Sequence, residues 1–376
     1  MEAGQLGKSV FKMKFSDTVL IVGFGSIGRR HTNNILKNTN SKIVIFSHRK
    51  NIDFTEFQNY HFYKKRIQIY NNFECCLKEK PSVAFITNET SLHIDFALKL
   101  AKMNVDLFIE KPLSHSMTNL TNLGKIINKN NLIVMVGCNF RFYPPIMKIK
   151  EIVDKKLLGK VISIQSENSS YLPDWHPKEN YTKNYAARKE LGGGVTLTQI
   201  HELDFLIYIF GKINSICSVV GKFSHLKVNA DDMCTCIMKS KNGAIIELHL
   251  DFFSKPYYKR LKIRGTKGTL IWNSDDNNIR YYGINNRDWK IIEIENNYNL
   301  NYKIATKELK YNNNSDNNVE FNTNGLIPLR YLDMFNDFSL HKFSYVKPTE
   351  LDIKVYERTL YEEKIAFINN EFLYDI

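Results

Sequence analysis

From Thr18 to Cys138 the chain alternates short β-branched runs with helical patterns, and this alternation leaves it few folds to choose from. TVLIVGFG reads as a strand and Ile27 to Lys37 as the helix after it. KIVIFS, RIQIY, SVAFIT, VDLFIE and LIVMVGC read as further strands. A helix near Phe73 to Leu77, then SLHIDFALKLAKM and TNLTNLGKIINK, separate the later ones. In the second of these helices Leu92, Phe96, Leu100 and Met103 fall near one face, the spacing of an amphipathic helix. Strands joined through helices run parallel. Their solid apolar runs suit a sheet covered on both faces. The pattern predicts an α/β fold with a doubly wound parallel sheet over residues 17–140, behind a loose N-terminal extension of residues 1–16.

After Phe140 the character changes. PPIMKIKEIVDKK reads as a helix, VISIQSENSSYL as a strand leading into a loop, and Val195 to Phe210 as a second helix. SICSVVGKF, MCTCIMKS, GAIIELHLDFF, RLKIRG and GTLIWN then follow one another without helices between them. That succession predicts a second, α+β domain over residues 141–376 with an antiparallel sheet. Within it, residues 273–324 are rich in Asn and read as long hairpin loops. Residues 349–368 read as a helix, with Thr349 and Asp352 placed as a capping box.

Composition excludes several classes. The 376 residues suffice for two cores, and 43% hydrophobic with 24% charged residues is ordinary for a globular protein. No apolar run approaches the roughly 20 residues that cross a bilayer, and the first residues carry no secretory signal pattern. The six cysteines show neither CxxC pairs nor histidines at ligand spacing, which predicts a reducing, cytoplasmic setting and no metal. Cys234 and Cys236 alternate along a strand, so both are expected to face the core. The net charge of +13 is spread along the chain rather than gathered in a strip. It argues against a nucleic-acid partner and remains compatible with phosphate-bearing small molecules.

Gly23-Phe24-Gly25-Ser26-Ile27-Gly28 is a GxGxxG turn, placed after an apolar strand and at the start of a helix. In that setting each glycine has its own task. The first allows the tight turn, the second the approach of a pyrophosphate, the third the packing of helix on sheet. The helix N-terminus offers unpaired N–H groups and positive potential. At the end of the next strand a carboxylate would bind the ribose hydroxyls of NAD and repel a 2′-phosphate. Ser47 stands there instead, followed by His48, Arg49 and Lys50. A hydroxyl and a guanidinium suit a phosphate. Two hydrogen bonds to a charged group, about 1.5–3 kcal/mol each, would favour NADP(H) by roughly a hundredfold or more. An exposed basic loop that accepts NAD(H) equally is the alternative.

FIEKPLS ends the fifth strand, so Glu110 and Lys111 lie where open α/β sheets bind ligands. Taken in order, GxGxxG, ITNETSLHIDFAL, EKPLS, GCNFRFYP and GGGVTLTQIHELDFLIYIFG resemble the glucose–fructose oxidoreductase, inositol dehydrogenase and rhizopine catabolism (Gfo/Idh/MocA) family, over nearly the whole chain from about residue 17. The resemblance implies an N-terminal Rossmann domain and a C-terminal α+β domain with a large, mostly antiparallel open sheet. It implies oligomers, here a homodimer or homotetramer, built through that sheet. It further implies NAD(P)-dependent chemistry at a carbon of a sugar, polyol or sugar nucleotide.

By the same resemblance Lys111 contacts nicotinamide and substrate, following a cis bond to Pro112, and His201 exchanges a proton with the reacting hydroxyl. Asn88, His93 and Glu110 join the coenzyme set, with Glu89 standing where a proline is usual. Arg141 is placed as a substrate contact. The chemistry agrees: a histidine titrates near neutrality and can move a proton in either direction, while an ammonium stabilises a developing alkoxide. Three glycines, Gly192 to Gly194, would allow backbone to approach a ligand.

One departure stands out. Family members often carry an acid on the turn before the histidine, where this chain has Leu197 and Thr198. Thr198 lies three positions before His201 and can hydrogen-bond without holding charge; Glu202 or Asp174 could substitute. The loop before the glycines carries Tyr171, Trp175, Tyr181, Tyr185 and Arg188. Aromatic faces pack on sugars and bases and Arg binds phosphate or carboxylate; equally, these rings could cover a helix or an interface. The loop resembles family members linked to surface-polysaccharide or sialic-acid-like sugar biosynthesis. The expected function is an NADP(H)-dependent oxidoreductase. Redox-coupled glycosidic cleavage or epimerisation, and a coenzyme-bound sensor or scaffold without turnover, are the alternatives.

Overall fold

The computed structural model describes residues 12–14, 18–49, 52, 63–275, 278–285, 288–294 and 318–320. They divide into two compact units that part between Gly137 and Cys138, with His115–Met117 assigned to the second.

The first unit contains six parallel strands. These are β1 (Thr18–Val22), β2 (Lys42–Phe46), β3 (Ile67–Tyr70), β4 (Val83–Ile86), β5 (Asp106–Ile109) and β6 (Val134–Val136). Their order is β3-β2-β1-β4-β5-β6, so the direction of winding reverses between β1 and β4. Helices α1 (Ser26–Asn38), α2 (Phe73–Lys78), α3 (His93–Lys102) and α4 (Leu120–Asn130) cover it. Val19, Leu20, Ile21 and Val22 are all fully buried, odd and even positions alike, because helices cover both faces. In α3 the buried stripe is Ile94, Ala97, Leu100 and Ala101. Leu92 and Met103, expected on that face, lie just outside the helix and are 41% and 48% exposed. Three residues of the extension expected to be loose, Lys12–Lys14, pair antiparallel with Asn318–Glu320.

The second unit is an eight-stranded sheet of β7 (Val161–Tyr171), β8 (Ile213–Gly221), β9 (Met233–Ser240), β10 (Ile245–Asp251), β11 (Phe253–Gly265), β12 (Gly268–Asn273), β13 (Ile279–Gly283) and β14 (Lys290–Ile292). The order is β14-β13-β12-β11-β7-β10-β9-β8, and only β7 and β10 run parallel. Along β9, Cys234, Cys236, Met238 and Ser240 are buried while Thr235, Ile237 and Lys239 are exposed. This period-two pattern belongs to a sheet with one covered and one open face. The covered face forms a single core with Ile146, Ile149 and Ile152 of α5 (Pro144–Asp154) and Phe205, Leu206 and Ile209 of α7 (His201–Phe210).

Two expectations change. The helix expected over Val195 to Phe210 is two helices, α6 (Val195–Thr198) and α7, broken at Gln199. There the Gln199 side chain turns inward to donate to Ser170 Oγ and the Asp251 carbonyl. The first part of the Asn-rich region is not loop: β13 and β14 extend the sheet through it. Residues 295–317 and the helix expected over 349–368 lie outside the described residues.

Leu250, fully buried at the centre of the second core, is expected to carry a cavity cost. Leu250→Ala should lower unfolding free energy by about 2–5 kcal/mol, seen in urea titration as a lower midpoint at unchanged slope.

Candidate functional site

In the first unit the GxGxxG turn is held by its neighbours. Gly23 has φ +93° and donates its N–H to the Phe46 carbonyl at 3.0 Å. A methyl carbon on it would lie 2.7 Å from the Asn88 backbone, and one on Gly28 would lie 2.3 Å from the Gly23 carbonyl oxygen. Beside Gly25, by contrast, a methyl would meet nothing within 4 Å. Gly25 caps α1 without a side-chain hydrogen bond, and the first turn of α1 carries no acid. The open space and the exposed helix N-terminus together fit the phosphates of a dinucleotide.

Thr87 completes the turn, a part of the quoted motif to which the sequence reading gave no role. Its hydroxyl is 3.0 Å from the Val22 carbonyl and 2.8 Å from that of Gly23. Next to it, Asn88 Oδ1 is buried without a hydrogen-bond partner in the structure. A buried acceptor of this kind demands a donor, and a bound coenzyme would bring hydroxyl and amide donors.

At the end of β2, Ser47 is buried and its Oγ accepts the Arg49 N–H at 3.2 Å. The turn leaves His48 and Arg49 exposed, with the His48 ring set edge-on to Phe46. Among the described residues, no acid follows this strand directly, where Ser47, His48 and Arg49 stand.

His93, expected in the coenzyme set, meets two backbone carbonyls. It is buried, with Nδ1 2.9 Å from the Pro112 carbonyl and Nε2 3.1 Å from the Asn88 carbonyl. Burial holds its pKa below the usual value, against the pull of those two carbonyls. Its task is therefore to tie the Asn88 turn to Pro112. The Lys111–Pro112 bond is cis, as the resemblance implied.

Glu110 likewise acts inside the protein. Its carboxylate takes a hydrogen bond from His31 Nε2 at 2.8 Å and from the Lys111 N–H at 3.1 Å. Burial pushes this carboxyl up, but the His31 hydrogen bond, the His31 charge and the Lys111 ammonium outweigh it and leave it below its ordinary range. The spacing GxGxxGxxH points His31 at Glu110 only once α1 is seen to run beside the end of β5.

In the second unit His201 opens α7, its ring 4.8 Å from that of Phe140. Thr198 is buried on α6. Glu202, considered above as a substitute acid, is fully buried and ion-paired with Lys259 of β11, which is itself buried. The Lys259 ammonium lies 4.0 Å above the Phe140 ring. Lys259 went unnoticed in the sequence. Asp174, the other candidate, pairs with Lys255 at 2.8 Å on the surface.

Arg141, expected as a substrate contact, is engaged within the protein. It is 5% exposed, forms two hydrogen bonds to the Asp204 carboxylate at 2.8 and 2.5 Å, and sits against the Tyr208 ring. A buried guanidinium keeps its charge only beside a counter-ion, so Arg141 and Asp204 serve each other.

The aromatic loop divides. The Tyr171 ring lies 4.1 Å under Lys255 Nζ, and Trp175 packs edge-on against Phe252. Tyr185 opens a turn capped by Asn184 and packs against the core. Arg188 pairs with Glu190 at 2.7 Å, partly exposed. Two of the three glycines make their close approach to the chain itself: a methyl on Gly193 would lie 2.1 Å from the Tyr185 carbonyl oxygen, and one on Gly194 2.1 Å from Asp231.

Residues 18–138 match the sequence model of an oxidoreductase family with an NAD-binding Rossmann fold, and residues 146–271 match that of a GFO/IDH/MocA C-terminal domain. Levoglucosan dehydrogenase of Pseudarthrobacter phenanthrenivorans is 22% identical over 217 residues, 51% of this chain and 55% of that protein. The 2,7-anhydro-N-acetylneuraminate hydratase of Escherichia coli is 24% identical over 184 residues, 48% of each chain. The chain thus spans about half the length of these curated relatives. A solved structure of levoglucosan dehydrogenase in complex with NADH has the same fold, with a TM-score of 0.62 and 16% identity over 74% of this chain and 80% of that one.

Removing Arg141 tests its placement. Arg141→Met should leave Asp204 buried and uncompensated and cost about 3–5 kcal/mol, whereas Arg141→Met combined with Asp204→Leu should recover most of the loss. Urea titration of both variants reads this. An unchanged midpoint in the single variant would return Arg141 to the ligand contacts.

Proposed function

The chain belongs to the Gfo/Idh/MocA oxidoreductase family, and from that membership we propose that it is an NADP(H)-dependent oxidoreductase acting on a carbon of a sugar, polyol or sugar nucleotide. The observation that carries the coenzyme reading is the uncapped, acid-free start of α1 with open space beside Gly25. When bound, the coenzyme supplies the nicotinamide that exchanges a hydride with the substrate carbon.

The chain's own residues bind and position. The N–H groups of Ser26, Ile27 and Gly28 hold the pyrophosphate, with Phe24 in the same turn. Asn88 Oδ1 takes a donor from the coenzyme. The Ser47 hydroxyl still has its proton to give, and with Arg49 it binds the 2′-phosphate. His93 and Glu110 hold the loops from which Asn88 and Lys111 project. Lys111 positions and polarises the reacting hydroxyl. His201 takes its proton or returns it, and Thr198 lies on the preceding turn. Tyr171, Trp175 and Tyr185 provide rings for a sugar or a base, and Arg188 an anion site that must be released from Glu190.

We place the protein in the cytoplasm, among enzymes of surface-polysaccharide or sialic-acid-like sugar synthesis, as a homodimer or homotetramer joined through the open sheet. Ile237 and Ile245, 56% and 37% exposed on that sheet, support the interface. A second reading has support in the relative named a hydratase. In that reading the same site uses a retained coenzyme for cleavage or epimerisation with no net redox change.

Two measurements test the proposal. In a thermal-shift series NADP should stabilise more than NAD, since a ligand at a hundred times its Kd contributes about 2.7 kcal/mol. Arg49→Ala should remove the difference; greater stabilisation by NAD in the unaltered protein would refute the preference. With a substrate found from a sugar and sugar-nucleotide panel, Lys111→Ala and His201→Ala should each lower kcat by roughly 10²–10⁴-fold. Turnover that survives both would remove these residues from the chemistry.

A further inference from the structure

We infer that the buried Glu202–Lys259 pair sets the proton affinity of His201, with both residues acting as positioning residues for that imidazole. The inference rests on the reading of His201 as the acid/base group. It goes further in naming what tunes that group where the preceding turn offers Thr198 and no carboxylate.

The two side chains are 1% and 5% exposed. Such a pair is poor value as a stabilising device, since two apolar side chains of similar size fill the same space without the cost of removing charge from water. Its placement gives it another use. Lys259 Nζ stands over one ring, Phe140, and the same ring packs against His201. The ammonium and the imidazole thus meet the same phenyl ring, and Glu202 is the next residue along α7. A nearby charge shifts the proton affinity of a titrating neighbour, the more so where water is scarce.

Two other titratable groups lie on the same two elements. On α7, Asp204 is neutralised by Arg141. On β11, Tyr257 carries a phenol pushed up to about 12, by burial first and then by Glu202, Tyr143 and Asp275, so it stays neutral. The Glu202–Lys259 pair meets the ring that packs on His201, and it is balanced only while both members are present.

The sign follows. With Glu202 neutralised, the Lys259 charge disfavours imidazolium and the His201 midpoint falls. With Lys259 removed, the Glu202 charge favours imidazolium and the midpoint rises, by less where Glu202 takes up a proton. With both removed, it returns.

The test uses the full chain with ¹³C-labelled histidine. The His201 signal is identified by its loss in His201→Gln, and the midpoint is read by NMR titration. Glu202→Gln should lower the midpoint by roughly one pH unit. Lys259→Met, or Lys259→Gln where the methionine variant does not fold, should raise it. Lys259→Arg should leave it in place, and Glu202→Gln with Lys259→Met should restore it. Shifts of the same sign in the two single variants, or no shift in Glu202→Gln, would overturn the inference. The titration needs no substrate, so a protein without turnover would refute the proposed function and still decide this point.

Discussion

At the reversal of strand order between β1 and β4 the chain has no room for one methyl group. Gly23 lies against the Asn88 backbone, and Gly28 against the Gly23 carbonyl and the Thr87 hydroxyl. The rest of the first unit's chemistry hangs on that closeness. It lets Thr87 reach two successive carbonyls of the turn. It brings α1 down on the sheet, so that His31, on the same helix, meets Glu110 at the end of β5. Glu110 in turn receives the Lys111 N–H. The helix that presents N–H groups to a phosphate is thus joined through His31 and Glu110 to the lysine proposed to act on the substrate.

The second unit depends on charge inside an apolar core. Glu202 and Asp204, in the first turn of α7, both face inward. An unpaired carboxylate there would be prohibitive, so each has drawn a cation from a different element: Arg141 from the turn before α5, and Lys259 from β11. Losing one partner of such a pair costs more than the pair contributes. Helix α7 is therefore tied at its beginning to two other elements, and His201, its first residue, inherits that placement.

The sheet orders and the covered and open faces were legible because period and burial go together: solid apolar runs in β1 and β2, strict alternation in β9. The GxGxxG turn was legible because its glycines answer to steric needs that no other residue meets. Polar residues were harder. Nothing in a sequence says whether a histidine or an arginine meets a ligand or another part of the chain, and His93 and Arg141 turned out to meet the chain. The glycines before α6 have the same ambiguity, for Gly193 and Gly194 make room for Tyr185 and Asp231. Lys259 was hidden for a different reason. In SKPYYKRLKIRG it is one of several cations, and the pairing of β11 with β7 shifts between Phe253 and Tyr258. A count of alternating faces cannot be carried through such a shift, so the inward position of Lys259 could not be read from its neighbours.

The strand-end loop of β2 shows how little separates two coenzyme specificities. Ser47 Oγ already accepts the Arg49 N–H, a bond that an aspartate at the same position could also accept. The backbone of the loop would therefore suit either residue. What differs is the charge left facing outward: a carboxylate binds a pair of ribose hydroxyls and repels a phosphate, whereas a hydroxyl next to an exposed guanidinium does the reverse. In the proposed reading, the choice of dinucleotide then rests on the buried Ser47 and the exposed Arg49 at this strand end.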